Sequence, residues 1–513
     1  MPLDTGITGV TKQYLKEAVS VCKTEQEKVG ILMWDEVHLS LGLQYDDSTD
    51  KIVGFEDWGT VRTEEYANQA LVFMLRLIET GDKIPISFNF CNTTKTAQLI
   101  RCIKDALTAI KEAGFTVAAT VCDQSSANQA AVKTLDMEIV PLFDIPHVFK
   151  CIRNNLLDKD LQFGKDQYAT WDHVITAFLI DTFSGNNTRS LPKLTEKHVY
   201  PERIDKMNVK VCSNVFSGTL ANKINDLAGG PVKSTDEGPK GIPADGVNTA
   251  FVLAFFNKLF DALNGKTITD RSSNFRTILT DDSFHLKFFD EAIAILSRMT
   301  FVSKSSRKII DQPPSLNNLI KTIQGIKVLW KNLKQLGFTS LKTRHLNQDP
   351  LENFFSQVRG LSANRKPNCF QFVGIFKTLL FNTFSNYKST QSNCENDESF
   401  LLTSLEKIQN NNFNTIRENV FVQKIVRNRV SNEDAIPEKG HISNNAATLI
   451  KIFKKKNPFF LTCKNCATII NNSVMSSTFK YLFNDTKSIL RNIITNIYAT
   501  TGVSRSSSKI LKK

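Results

Sequence analysis

The sequence predicts an α/β protein. Apolar segments of strand length alternate with segments of helical period through the first 150 residues. Two of the strand-like segments turn polar at an aspartate, and the pattern beyond residue 160 is mostly helical. Residues 29–38 run apolar up to Asp35, as a buried strand does where its end reaches solvent. Strands follow at 41–45 and 51–56 around an Asp- and Ser-rich turn at 46–50, since those side chains bond their own backbone in turns. A helix is expected over about 62–80 and a fourth strand over 84–90. Leu99, Ile103, Leu107 and Ile110 recur at helical spacing within 94–113, and Gly114 ends that helix. The next strand, 115–123, stops on Asp123. Asp144 and His147 stand at a further strand-to-helix junction, with His147 expected as a polar residue of the helix start. Three strands, a helix, a strand, a helix and a strand form an order compatible with an RNase H-like fold.

From about 160 to 340 helical patterning dominates. Residues 247–263 are apolar nearly all round, which predicts a well-buried helix. The Gly- and Pro-rich loop at 228–243 is no Walker A loop, because no Gly-Lys-Ser/Thr follows at the required spacing; the residues alone do not indicate nucleotide binding. Further on, Leu351, Phe354, Phe355 and Val358 make one apolar stripe. Glu352 lies off that stripe, and Arg359 follows two turns later on nearly the same face, placed for a phosphate. Residues 386–397 read as a polar linker, and the remainder as helical and basic.

Asp35, Asp123 and Glu352 sit at the ends of two strands and on one helix. Carboxylates in such an arrangement suit Mg²⁺ or Mn²⁺, since hard cations prefer oxygen ligands. Paired metals stabilise both the attacking and the leaving oxygen of a phosphodiester. The same residues also admit local roles: strand-terminal Asp caps loops, and 349–352 reads as a helix start with Asp349 at N-cap, Pro350 at N1 and Glu352 at N3.

Composition bounds the rest. A chain of 513 residues suggests about three domains. No apolar run reaches ~18 residues and the N-terminus has no signal-peptide pattern, so neither secretion nor membrane insertion is expected. The 10 cysteines are scattered, several in apolar segments, which suits buried thiols better than a disulfide framework. Cys463 and Cys466 have zinc-knuckle spacing without an evident second ligand pair. The net charge of +13 is concentrated toward the C-terminus. Its run Lys454, Lys455 and Lys456 suits a polyanion through counterion release, or else a solvated tail.

The words around the carboxylates resemble the P element transposase family. The matching stretches are Asp35-Glu36-Val37 with 43–45 and 52–55, then 121–124, 143–150 with 152–155, 206–209, 260–264, and 349–355 with Arg359-Gly360. They occur in family order over roughly the first three quarters of the chain. The resemblance implies an RNase H-like catalytic domain (1–158) interrupted by a mostly α-helical GTP-binding insertion (159–340). The final catalytic helices would be 341–385, and 386–513 a linker and mostly helical basic C-terminal region. It implies Asp35, Asp123 and Glu352 as catalytic metal ligands. Around GTP it implies Lys193 at phosphate or base, Val209 and Ser217 near the ligand, Asp261 and Asn264 around guanine or ribose, and Asp349 beside the base. Asp261 and Asn264 read locally as helix C-terminal residues before Gly265. Asn208 stands where the family favours Lys. Lys150, Arg153, Arg359 and Lys454–Lys456 become candidate DNA contacts. The implied activity is that of a DDE-type DNA transposase: a nuclear homo-oligomer, not membrane-bound, acting on transposon ends and target DNA, with GTP as a non-hydrolysed cofactor. Full-length members carry an N-terminal THAP-type zinc domain and a dimerising segment, neither of which this sequence is expected to contain. The alternatives are a domesticated, non-enzymatic nucleic-acid-binding derivative and a simple RNase H-type nuclease.

Overall fold

Strand β1 (Val29–His38) lies at the heart of the main sheet because residues 29–34 are all buried. In this computed structural model the described residues are 4–46, 50–135, 138–183, 189–230, 241–270, 273–362 and 364–381. Lys454–Lys456, Cys463, Cys466 and the 386–397 linker therefore lie outside the described residues. Helix α1 (Gly9–Val21) precedes β1. After it come β2 (Gln44–Asp46), β3 (Lys51–Val53), β4 (Phe55–Asp57), β5 (Arg62–Tyr66), β6 (Gln69–Leu77) and β7 (Lys83–Cys91). Next are α2 (Thr96–Ala113), β8 (Thr116–Cys122), α3 (Ser126–Val132), β9 (Val140–Phe143) and α4 (Ile145–Asp158). The main sheet has the order β5-β4-β7-β6-β1-β8-β9. β1 pairs antiparallel with β6 and parallel with β8, and β8 pairs parallel with β9. This is a mixed sheet of the kind an RNase H-like reading requires.

Two expectations are corrected. The helix expected over 62–80 is instead β5 and β6. Residues 70–77 are buried on both faces, so their apolar run carries no alternation, and such a run does not distinguish strand from helix. Its Val and Phe content and its insertion between β1 and β7 decide for strand. The strand expected over 51–56 is broken at Gly54 (φ 129°), where a Cβ would come within 2.3 Å of the Gly42 carbonyl oxygen. β2 and β3 thus form a separate hairpin, while β4 joins the main sheet.

The middle of the chain begins with β10 (Lys159–Gly164), β11 (Gln167–Ala169) and α5 (Trp171–Phe183). Helices α6 (Glu196–Val199), α7 (Val209–Val215), α8 (Gly218–Leu227), α9 (Gly246–Leu263) and α10 (His285–Leu296) follow, then β12 (Thr300–Ser303). β11, β10 and β12 form a small three-stranded sheet. As its composition predicts, α9 is largely buried. Phe149 of α4 meets Phe216, Phe256 and Phe260 edge-on at 5.1–6.1 Å, which joins this helical region to the main sheet's own helix.

Three helices complete the described chain: α11 (Ser315–Gln335), α12 (Asp349–Leu361) and α13 (Cys369–Phe381). α12 packs on β1 and α13. Phe354 of α12, Phe372 and Phe376 of α13 and Phe88 of β7 form one aromatic cluster. α11 packs on β9 and β8 although it falls within the 159–340 segment. β9 is the sheet edge, and its Phe143 N–H donates to Thr322 Oγ1 of α11 at 3.1 Å. An exposed edge of this kind invites unwanted strand pairing, and α11 covers it. Seven cysteines among the described residues are free thiols, and burial pushes Cys91 and Cys212 up to about 12. No helix among the described residues is long and apolar enough to cross a membrane.

The approach of α11 to β9 depends on Gly325: a Cβ there would lie 2.7 Å from Leu142 Cδ2 and 3.1 Å from Val140 Cγ1. Gly325→Ala is expected to destabilise by about 1–3 kcal/mol through overpacking. Gly374 on α13 has nothing within 4 Å of its Cβ position. Gly374→Ala is expected to be neutral or to stabilise by up to ~1 kcal/mol through helix propensity. Urea denaturation followed by ellipticity measures both signs.

Candidate active site

The pairing of β1 with β8 determines where two carboxylates emerge. Met33 faces Val121 in this parallel pair, and Asp35 and Asp123 each lie two residues further along, on the same side of the sheet. Asp35 Oδ1 accepts the Glu36 N–H at 2.8 Å. Asp123 Oδ1 accepts Ser125 N–H at 2.8 Å and the Asn128 side-chain amide at 2.5 Å. α12 lays Glu352 over the same strand end. Burial, followed by the charges of Glu352, Glu36 and Asp123, holds the Asp35 carboxyl well above the usual carboxylate range. Glu36 is also raised, first by burial and also by Asp123, against a 2.5 Å hydrogen bond from Thr94 that lowers it.

The structure therefore brings Asp35, Asp123 and Glu352 into one electrostatic neighbourhood, with Glu36 as a fourth member that the sequence reading passed over. Among the described residues, no three His, Cys, Asp or Glu side chains converge closely enough to enclose a metal ion as they stand. The donor chemistry fits one: all the donors are carboxylate oxygens, and their mutual repulsion is what a hard divalent cation relieves.

A chain of hydrogen bonds brackets the three acids. Trp34 Nε1 donates to Asn128 Oδ1 at 2.7 Å, and Asn128 in turn holds Asp123. Gln348 Nε2 donates to the Trp34 carbonyl at 2.6 Å, while its backbone N–H donates to Asp144 Oδ1 at 2.7 Å. Asp144 Oδ2 caps α4 by accepting the His147 N–H. Gln348, not Asp349, occupies the N-cap position of α12. The carboxylate of Asp349 is engaged elsewhere, with Asn347 Nδ2 at 3.0 Å and Arg344 Nη2 at 3.4 Å. Among the candidate DNA contacts, Arg359 is half-exposed with Nη2 4.0 Å from Glu352 Oε2. Lys150 is buried and lines a small cleft with His147, Asp349 and Glu352. Arg153 is corrected: it is fully buried and donates to Asn154 Oδ1 at 2.8 Å and to the Lys206 carbonyl at 3.0 Å, so it braces the 205–206 loop and does not face a ligand.

A separate cleft of about 1350 Å³ opens in the helical region. Lys193, Val209, Ser217, Asp261 and Asn264 all line it. Asp349 does not; it is linked to the wall through Arg344 and through Asn347, whose amide also reaches Asn264 Oδ1 at 3.4 Å. Buried Asp181 holds the loop leading to Lys193, accepting Arg189 Nε at 3.0 Å and the N–H groups of Ser190 and Leu191 at 2.8 and 3.2 Å. Asn208 and Ser217 cap α7 and α8, so both helices begin at the cleft wall. Lys210, Lys266 and Arg276 also line the cleft, and no sequence motif had marked them. Positive side chains and two helix N-termini suit a phosphate-bearing ligand.

Three family models match the chain in order. Residues 3–136 match a TNP-like RNase H N-terminal domain, 146–276 a TNP-like GTP-binding insertion domain, and 345–377 a TNP-like RNase H C-terminal domain. The chain belongs to the P element transposase-like family. The Transposable element P transposase of Drosophila melanogaster is 24% identical over 356 residues, covering 65% of this chain and 42% of that protein. This chain thus spans less than half the length of that curated relative. A solved structure, the Drosophila P element transposase strand transfer complex, superposes with a TM-score of 0.60 at 19% identity, over 74% of this chain and 81% of that one. The family fold is an RNase H-like domain divided by the insertion domain.

The raised carboxyl of Asp35 has a stability consequence. A folded-state pKa above the unfolded value, about 3.9, favours the folded state below the unfolded pKa, and that contribution is lost as pH rises through the folded pKa. In chelator-treated protein near neutral pH, Asp35→Asn should therefore raise the melting temperature. The gain should shrink as pH falls toward about 4, where Asp35 itself is protonated. Thermal melts of both proteins across that range test it.

Proposed function

We propose that this chain is the core of a DDE-type DNA transposase that cuts and joins DNA at Asp35, Asp123 and Glu352, with a guanine nucleotide bound intact in the insertion-domain cleft. The observation that carries the reading is the mutual electrostatic crowding of acids from β1, β8 and α12. The family membership of the chain supports it. Mg²⁺ or Mn²⁺, when bound, would stabilise charge on the attacking and leaving oxygens of the phosphodiester. Asp35, Asp123 and Glu352 would hold it, and Asn128 keeps Asp123 oriented. Gln348 fixes the start of α12 against β1, and half-exposed Arg359 would contact a DNA phosphate. Water attacks the phosphodiester, and the freed 3′-hydroxyl then attacks target DNA, so no covalent protein nucleophile is needed.

In the cleft, Lys193 and neighbouring cations would take the phosphates, and Asp261 or Asp349 the base, since a carboxylate accepts the paired N–H donors of a guanine edge. GTP is a cofactor in this reading, bound and not hydrolysed. Nuclear, homo-oligomeric action on transposon ends and target DNA belongs to the same proposal.

Purified protein incubated with labelled double-stranded DNA and Mn²⁺ is expected to cleave or join it, and Asp35→Asn to fall to background while remaining folded. Equal cutting by the variant would remove Asp35 from the assignment. DNA binding without cleavage by the parent would favour the non-enzymatic alternative. In equilibrium binding GTP should be preferred over ATP; equal affinity would remove the nucleotide from the proposal.

A further inference from the structure

We infer that Lys258 is a phosphate contact of the cleft, its ammonium held in advance over the faces of Phe275 and Phe288. This rests on the nucleotide reading of the cleft and names a residue for the polyphosphate end. Lys258 lies on α9 and lines the cleft together with Asp261. Its Nζ stands 4.4 Å from the centroid of the Phe275 ring and 4.3 Å from that of Phe288. The two rings are themselves 4.9 Å apart, so the ammonium caps an aromatic pair. Among the described residues no carboxylate lies within 4.0 Å of it.

The aromatic platform is anchored on both sides. Phe288 belongs to α10 and is buried. Phe275 is fixed through its backbone: its carbonyl accepts the Nε2–H of fully buried His285 at 3.1 Å, and its N–H donates to Ser273 Oγ at 3.3 Å. A lysine side chain is rich in rotamers, and immobilising it on binding costs affinity. Rings that hold the ammonium beforehand remove part of that cost. A ring face attracts the charge without using up the three N–H donors, which stay available to a phosphate.

Charge along α9 is sorted by the same contacts. Lys258 and Asp261 are three residues apart, a spacing at which opposite charges on a helix can pair. They do not pair: Asp261 accepts Arg276 Nε at 2.9 Å, while Lys258 sits over the rings. Arg344 on the same wall likewise has a carboxylate, Asp349, at 3.4 Å. A cation already paired shares its charge between carboxylate and ligand, whereas Lys258 brings its charge undivided. One helix thus presents to the cleft a carboxylate and, about 4.5 Å along its axis, a cation.

The test uses the full chain in competition against labelled GTP, with inorganic tripolyphosphate and guanosine as separate probes. Lys258→Gln is expected to weaken tripolyphosphate and GTP roughly tenfold, the scale of a charge-assisted hydrogen bond, and to leave guanosine within about twofold of the parent. Lys258→Arg keeps a cation that stacks on rings and should restore tripolyphosphate affinity to within about threefold. Phe275→Leu should weaken tripolyphosphate in the parent but not in the Lys258→Gln background, a coupling that a merely structural ring would not show. Unchanged tripolyphosphate affinity in Lys258→Gln, or equal losses for tripolyphosphate and guanosine, overturns the phosphate role and leaves the nucleotide reading intact. Additive losses from Phe275→Leu and Lys258→Gln overturn the aromatic platform. A parent that does not bind labelled GTP overturns the nucleotide reading, and the role of Lys258 with it.

Discussion

Like charges gathered at one sheet end are the constraint on which the rest of the structure depends. The parallel register of β1 and β8 emits Asp35 and Asp123 side by side, and α12 adds Glu352. Acids left to themselves would separate. They are held by hydrogen bonds from uncharged donors that run from Asn128 through Trp34 to Gln348 and Asp144. The fold keeps the carboxylates near one another despite their mutual repulsion.

Much of this was legible from sequence wherever the signal is local. Both aspartates end apolar runs, Gly114 closes α2 in the left-handed conformation, and the stripe of α12 turns Leu351, Phe354, Phe355 and Val358 inward. The failures share a cause. Residues 70–77 are covered on both faces, so the alternation that identifies a strand is absent. Arg153 has the composition of a phosphate contact, and only its tertiary burial shows it bonded to the 205–206 loop. The bracket around the acids joins residues up to 314 positions apart, and no local spacing encodes that. Cations such as Arg276 and Lys266 reach the cleft by the same kind of long-range folding.

The two candidate sites share one stretch of chain. Residues 344–352 begin at Arg344 on the cleft wall, pass Asn347 and Asp349, and reach Gln348 and Glu352 at the sheet end. The cleft wall and the segment that positions Glu352 are therefore parts of one continuous stretch of chain.

The sealing of β9 by α11 has a consequence for a nascent chain. Phe143 and the Thr322 that satisfies it are 179 residues apart. At a synthesis rate of about 5–20 residues per second, that separation corresponds to roughly 10–35 s on the ribosome. During this interval the strands of the main sheet are already made, yet the β9 edge lacks its cover and the third acid has not been synthesised. Whatever shields that edge during translation must come from outside α11, so the insertion places its greatest demand on the chain before the folded protein exists.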